Sequence, residues 1–387
     1  MIDNVNDDCQ FIIINYLNYS SQFWLWVASK DFAPRLHRNV SYILQRKTSH
    51  ALDYYHWFGE YVHNPTELED DFLRTISSTV EHLDLKSVNL KNLECLMKHS
   101  FPCIRSLHYR PDKVDGTEHD EALELLVKLF PGLTSFKPFG PVDGGVIEKL
   151  KNLRKLDLSR SSLFNTRLSL RTFQELEHLV ISLYFFKGIS IETILNLPKL
   201  RSFSFSTEST QNKSILSEII EQRGLDIREL SFRFIDWSQS LDKLKQLKNL
   251  RQLMLMEDSF KKAHFQAWIS NLPELEQLNM VGGQFWYYER DLWKAVASCS
   301  SLKILNFSDT LIDDEFYDSS RHHMEEALNN RSQPLLLHCY NTGEYDRDTA
   351  ECQQLINQNF KHLNLIVSFK ELKVDDIPFQ YTKIVFA

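Results

Sequence analysis

Two apolar rhythms alternate along most of this chain. In the first, the frame L-x-x-L-x-L recurs, with Val, Ile or Phe replacing some leucines. It reads VEHLDLKSV from Val80, IRSLHYR from Ile104, LTSFKPF from Leu133, LRKLDLSRSSL from Leu153, LEHLVIS from Leu176 and LRSFSFS from Leu200. It continues as IRELSFR from Ile227, LRQLMLM from Leu250, LEQLNMV from Leu275 and LKILNFS from Leu302, with weaker copies at Pro334 (PLLLHCY) and His362 (HLNLIVSF). Alternation inside each frame predicts a short strand. In the second rhythm apolar residues fall three to four apart, in LKNLECLMKHSF, HDEALELLVKLF, NKSILSEIIEQRG, KAHFQAWISNLPE and YERDLWKAVASC, which predicts helices. Phe130-Pro131-Gly132, Leu197-Pro198, Arg223-Gly224 and Leu272-Pro273 supply the stops. A strand plus a helix is too small to bury its own apolar face, so neighbouring units must stack into a continuous core.

Successive frames start about 20 to 33 residues apart, the range of leucine-rich repeats with some enlarged units. From about Leu68 onward the chain resembles leucine-rich-repeat proteins with a helical outer side. The resemblance implies an α/β solenoid over residues 80–387, of about 12 irregular units: a horseshoe with a parallel concave sheet and a helical convex side. Many such families carry Asn or Cys at the ninth position of the frame. Here Val88, Asp112, Pro141, Ser161 and Tyr184 stand there, so uneven curvature is expected. Unit boundaries are least regular from Lys113 to Gly145 and after Asp309.

The first residues obey neither rhythm. VNDDCQFIIINYLNYSSQFWLWVASKDFAPRL, from Val5 to Leu36, is rich in Ile, Phe and Trp. It lacks the pattern of a secretory signal, since Asp3, Asp7 and Asp8 come first and Asn15 breaks the apolar run Phe11–Ile14. No window approaches the roughly 20 apolar residues that span a bilayer. A segment this apolar must fold and bury itself in part. Laid out without gaps, NDDCQFIIINYL and SSQFWLWVASKDF resemble the first two helices of an F-box, and Arg35-Leu36 opens the third. Val27-Ala28-Ser29-Lys30-Asp31-Phe32 stands for the Val-Ser-Lys-x-Trp segment of that family. The match is degenerate. Val5-Asn6 replaces the usual Leu-Pro, Gln10 a leucine and Phe32 the closing tryptophan. A buried amide at position 10 needs partners, because an orphaned one costs about 1–3 kcal/mol.

An F-box followed by leucine-rich repeats implies a non-catalytic substrate receptor of an SCF-type cullin-RING ubiquitin ligase. It would bind Skp1, and through it the cullin, by the F-box, and a protein target by the repeats. The division implied is an all-α three-helix F-box-like module at 1–45, a helical linker or cap at 46–79, and the repeats. The Skp1 contacts implied are Val5, Phe11, Ile14, Leu17, Phe23, Leu25, Val27 and Phe32. The alternative is an interaction scaffold whose F-box-like segment only caps the first repeat. Burial of Phe11, Ile14, Leu17 and Phe23 together would favour the cap.

Strand alternation places positions three, five and seven of each frame on the concave side. Early units then offer a basic-leaning face through Lys86, His108, Arg110, Lys137 and Lys155. Late units offer Met254 and Met256 beside aromatic loops, and methionine with aromatics suits protein partners. The expected target contacts are Arg233, Met254, Met256, Gln277, Asn279, Trp286 and Tyr287.

Bulk properties narrow the remaining classes. With 387 residues the chain exceeds one ordinary core, and a formal charge of −8 argues against a broad nucleic-acid surface. An RNA-associated role would have to rest on the early basic units alone. Six scattered cysteines without a CxxC pair suggest a reducing compartment, cytoplasmic or nuclear. The acidic stretch Asp309–Glu351 reads as solvated helix and loop, and His322-His323-x-Glu325 lacks a second ligand pair. No phosphate loop, HExxH, G-x-S-x-G or cysteine quartet occurs, so no cofactor, metal or catalytic site is expected.

Overall fold

The computed structural model describes residues 5–58, 65–113, 117–163, 168–183, 189–206, 212–233, 241–256, 268–281, 289–309, 314–329, 331–340, 364–368, 370, 372 and 381–387. The chain divides into two compact units, the first of residues 1–189 and 196–199, the second of residues 190–195 and 200–387.

The first unit opens with three helices. α1 (Asp7–Tyr16) starts where the Asn6 side chain accepts from the Cys9 N–H at 2.8 Å, and α2 (Tyr19–Ser29) where Asn18 does the same for Ser21. α3 (Pro34–Gln45) takes Pro34 in its first turn, where the missing N–H costs nothing. Then come β1 (Ser49–Asp53), α4 (Tyr54–Trp57) and α5 (Pro65–Ile76). Strand and helix alternate from there: β2 (His82–Val88), α6 (Leu90–Leu96), β3 (Ser106–Pro111), α7 (Thr117–Leu129) and β4 (Ser135–Pro138). β5 (Gly140–Val142), α8 (Gly144–Ile147), β6 (Lys155–Leu158), β7 (Ser161–Leu163) and β8 (His178–Ser182) complete the unit. Its main sheet runs β1-β2-β3-β4-β6-β8, all parallel, while β5 and β7 form a separate parallel pair.

One backbone device repeats across this sheet. The carbonyl just before each strand accepts both N–H groups that open the next. Glu81 O takes Arg105 and Ser106 at 2.8 and 3.0 Å, Arg105 O takes Thr134 and Ser135, and Thr134 O takes Arg154 and Lys155. Arg154 O does so for Glu177 and His178, and Thr48 O does so ahead of β2. The frame leucines thereby fall in register. Leu83, Leu107, Phe136, Leu156 and Leu179 lie side by side and buried.

The second unit holds α9 (Ile191–Leu195), β9 (Ser202–Ser206), α10 (Asn212–Arg223), β10 (Ile227–Arg233), α11 (Leu241–Leu244), β11 (Gln252–Met256) and β12 (Gln277–Val281). α12 (Glu289–Ser298), β13 (Ile304–Asn306), α13 (Asp314–Asn329), β14 (Leu335–His338), β15 (Leu365–Ser368) and β16 (Thr382–Phe386) follow. β10 to β15 pair in sequence order, all parallel. The same carbonyl device links β11 to β12 and β12 to β13 through Arg251 and Glu276.

Each of the twelve frames thus carries a strand, and the architecture is mixed α/β with extensive parallel sheet. Four described strands are additional to these twelve: β5 and β7, which form their own parallel pair, and β1 and β16. β1 sits in the stretch read as helical, where His50 and Leu52 point inward and Ser49, Ala51 and Asp53 do not. β16 runs antiparallel between β9 and β10, with Ile384 beside Phe203 on one side and Leu230 on the other.

Candidate interaction surfaces

The N-terminal helices pack on an aromatic core. Phe23 stacks on Trp57 at 4.1 Å between ring centroids and meets the edge of Phe72 at 5.0 Å, and Trp26 also meets Phe72. This ties α2 to α4 and α5. On α1 the inward stripe is Gln10 and Ile14, one turn apart. Gln10 is fully buried and partnered: its Nε2 donates to Val5 O at 3.1 Å, and its Oε1 accepts from Asn39 Nδ2 at 2.8 Å. Asn39 Nδ2 also reaches Asp7 Oδ1, which Arg35 holds at 2.9 Å. Hydrogen bonds from Arg35 and Asn39 keep Asp7 below the usual carboxylate range.

Two of the expected adaptor contacts are therefore corrected. Phe23 and Ile14 are 0% exposed, spent on the stack with Trp57 and on the inner face of α1. Val5, Phe11, Leu17, Leu25 and Val27 are half-buried, and Phe32 is 88% exposed. From α1 through α3 the largest apolar exposures besides Phe32 are Tyr16 at 87% and Ile12 at 58%, followed by Tyr42, Trp24 and Ile13. Ile12, Ile13, Tyr16 and Trp24 were not among the expected contacts. The signal that would have found two of them is the inward Gln10: once positions 10 and 14 face the core, the helix turn sends 12 and 16 to the other side.

The sheet of the first unit presents a polar face. His82, Ser106, Ser135, Lys155 and His178 stand in one row across the strands. Asp84, His108 and Lys137 make the next row, and Lys86 lies beside Arg110. His82, His108, Arg110, Lys155 and His178 are exposed. Two cations are matched on the face itself, Lys137 by Asp157 at 2.7 Å and Lys86 by Asp84 at 3.6 Å. Burial pushes the Asp157 carboxyl up, but hydrogen bonds from Lys137 and Ser159 outweigh it and hold the group below the usual range. Burial also holds His108 below the usual imidazole range; Asp84 and Asp157 oppose this, and Lys137 and Lys155 reinforce it. Arg110 lies over the Phe139 ring at 5.1 Å, which limits where its guanidinium points.

The expected late zone is different. Met254 is 2% and Asn279 0% exposed, and both are corrected as target contacts. Asn279 Oδ1 instead accepts from Gln277 Nε2 at 3.0 Å and from Asn306 Nδ2 at 3.2 Å, and Asn306 Oδ1 accepts from Ser308. This is an internal amide ladder in which Gln277, half-buried, is a member. Met256 is half-buried and pairs in register with Arg233 at the ends of their strands. Trp286 and Tyr287 lie outside the described residues, as does the side chain of Arg233. The residues near the acidic stretch bring His322, His323 and Glu326, rather than Glu325, within 4.8 Å of one another, on a largely exposed helix face. Among the described residues no helix is long and apolar enough to cross a membrane.

No family model and no curated protein matches the sequence. Solved structures with a similar trace include a leucine-rich-repeat protein of Leptospira interrogans, at 14% identity and TM-score 0.39 over 88% of this chain and 82% of that one. The leucine-rich repeat-containing protein LegL7 of Legionella pneumophila shares 14% identity at TM-score 0.34, over 84% of this chain and 92% of that one. The complex of Rad7 and Elc1 in yeast gives 12% identity and TM-score 0.35, over 94% and 93%. At these identities and scores the likenesses carry no argument about partners or activity.

Proposed function

We propose that this protein is a leucine-rich-repeat substrate receptor of an SCF-type ubiquitin ligase. Its N-terminal helices would dock a Skp1-type adaptor, and through it the cullin, while the solenoid of repeats holds a protein target. The observation that supports the reading is the set of large apolar side chains left outside a helical module whose core is already filled. Phe23, Trp26, Trp57 and Phe72 complete that core, yet Ile12, Tyr16, Trp24 and Phe32 remain exposed. Large apolar side chains left exposed in number over a short segment are a feature of interaction sites. The target face in this reading is the polar sheet face of the first unit, around Arg110 and Lys155. The chain would supply no catalytic group. It would hold a target lysine near a thioester carried by the recruited subunits and raise its effective concentration.

Co-purification of the full chain with Skp1 tests the proposal. Wild type is expected to form a stable complex, and a Tyr16→Asp/Phe32→Asp variant to lose it while keeping its far-UV spectrum and melting temperature. Both positions are nearly fully exposed, so the charges carry little folding cost. A wild type that does not retain Skp1 would leave the second reading, a repeat scaffold capped by its N-terminal helices. Burial of Ile14 and Phe23 is the observation on that side.

A further inference from the structure

α5 and α6 meet beside the aromatic core, and their facing side chains include an unusual set. A carboxylate oxygen of Asp70, Cys95 Sγ and a ring nitrogen of His99 all lie within 4.8 Å of one another. His99 contacts Asp70 at 3.0 Å and has only 9% of its side chain exposed, and Cys95 is 3% exposed. Cys95 lies in the last turn of α6, and the turn that follows, closed by His99 N–H on Leu96 O at 3.0 Å, brings His99 back to it. Arg74 holds the other oxygen of Asp70, at 2.5 Å, leaving Oδ1 turned toward the cluster.

A second observation comes from the preceding residue. Glu69 is 4% exposed, and its Oε1 has no well-formed hydrogen bond. Oε2 takes only a long contact from Asn92, at 3.5 Å. The thiol of Cys95 and the hydroxyl of Tyr54 are its other polar neighbours. No lysine or arginine forms an ion pair with Glu69 among the described residues. A buried carboxyl with a half-satisfied hydrogen-bonding capacity is costly to leave charged.

The geometry points to a binding site for a borderline divalent cation of the Zn²⁺ type, held by Asp70, Cys95 and His99, with the buried Glu69 carboxyl lying against Cys95 beside it. Thiolate, imidazole and carboxylate together form a zinc donor set, and a thiolate selects against Mg²⁺ and Ca²⁺, which take oxygen ligands. Arg74 on the outer oxygen of Asp70 is the kind of supporting contact that orients a ligating carboxylate. The site would fasten α5, which precedes the first frame strand, to the first repeat helix. It is independent of the ligase reading.

Chelator-stripped full-length protein titrated with Co²⁺ alone tests the site. A thiolate-to-cobalt charge-transfer absorption is expected, displaced by Zn²⁺. It should persist in a Cys9→Ser/Cys103→Ser variant and vanish in Cys95→Ser. His99→Ala should weaken cobalt affinity, and Zn²⁺ should raise the melting temperature of wild type but not of His99→Ala. A folded wild type with neither a thiolate band nor a Zn²⁺-dependent shift in melting temperature would overturn the proposal. So would a band that survives in Cys95→Ser or disappears with Cys9 and Cys103.

Discussion

Gln10 ties the start of α1 to α3. Its amide joins Val5 to Asn39, and through Asn39 to Asp7 and Arg35. Restoring the leucine usual in an F-box, as Gln10→Leu, should therefore destabilise the protein, by about 1–3 kcal/mol, because the Asn39 amide loses a buried partner. Gln10→Leu/Asn39→Leu should recover part of that loss. Denaturant midpoints of the two variants decide it. The sequence showed that an amide stood where a leucine is usual, but its partner lies on another helix, which no local pattern names.

His50 behaves in a related way. It accepts from the Tyr19 hydroxyl at Nδ1, 2.6 Å away, and Nε2 lies 3.0 Å from the Lys47 carbonyl, which assigns the proton to Nε2. Burial lowers its pKa to about 4, with the Lys47 charge acting in the same direction and the carbonyl against it. The folded state therefore favours neutral His50. Its contribution is whole above pH 6.5, where the unfolded imidazole is also neutral, and is lost as pH falls through 4. Roughly 3 kcal/mol should disappear across that window. Stability measured against pH should be flatter for His50→Gln than for wild type between those limits.

At the scale of elements, the frame was almost fully legible, because the leucines that define it are the residues that meet across the sheet. Leu83, Leu107, Phe136 and Leu156 show this directly. Among the additional strands, β1 and β16 were illegible for different reasons. β1 has too few apolar residues to announce itself and is a strand because β2 offers it an edge. β16 alternates properly, but its neighbours are chosen by tertiary pairing alone. Ile384 is fully buried at the centre of that pairing. Ile384→Asp should cost about 4 kcal/mol, since it places an unpaired charge between β9 and β10. Thermal unfolding followed by far-UV dichroism would show it.

At the scale of the whole molecule, the candidate surfaces were less legible than the fold. The alternation rule assumes that one face of each strand is open. In the first unit it is, and His108, Arg110 and Lys155 are accessible as expected. In the second unit both faces are buried at Met254, Asn279 and Asn306, so a position on the right parity was still internal. At the N-terminus the excess of apolar residues was legible, but not its partition. Phe23 went inward to stack on Trp57 and Ile14 inward beside Gln10 on α1, while Tyr16 and Phe32 stayed outside.

The placement of β16 also sets an order of events during synthesis. β9 and β10 leave the ribosome long before Thr382–Phe386 does, yet the strand that joins them is this late one. Until it arrives, each presents an unpaired edge, the kind of template that invites association with other chains. Closing the gap then requires a contact between segments very distant in sequence, such as Ile227 with Phe386, which slows folding. The nascent second unit should therefore depend on chaperones that shield strand edges, and a ribosome stalled before residue 382 should hold it in an aggregation-prone state.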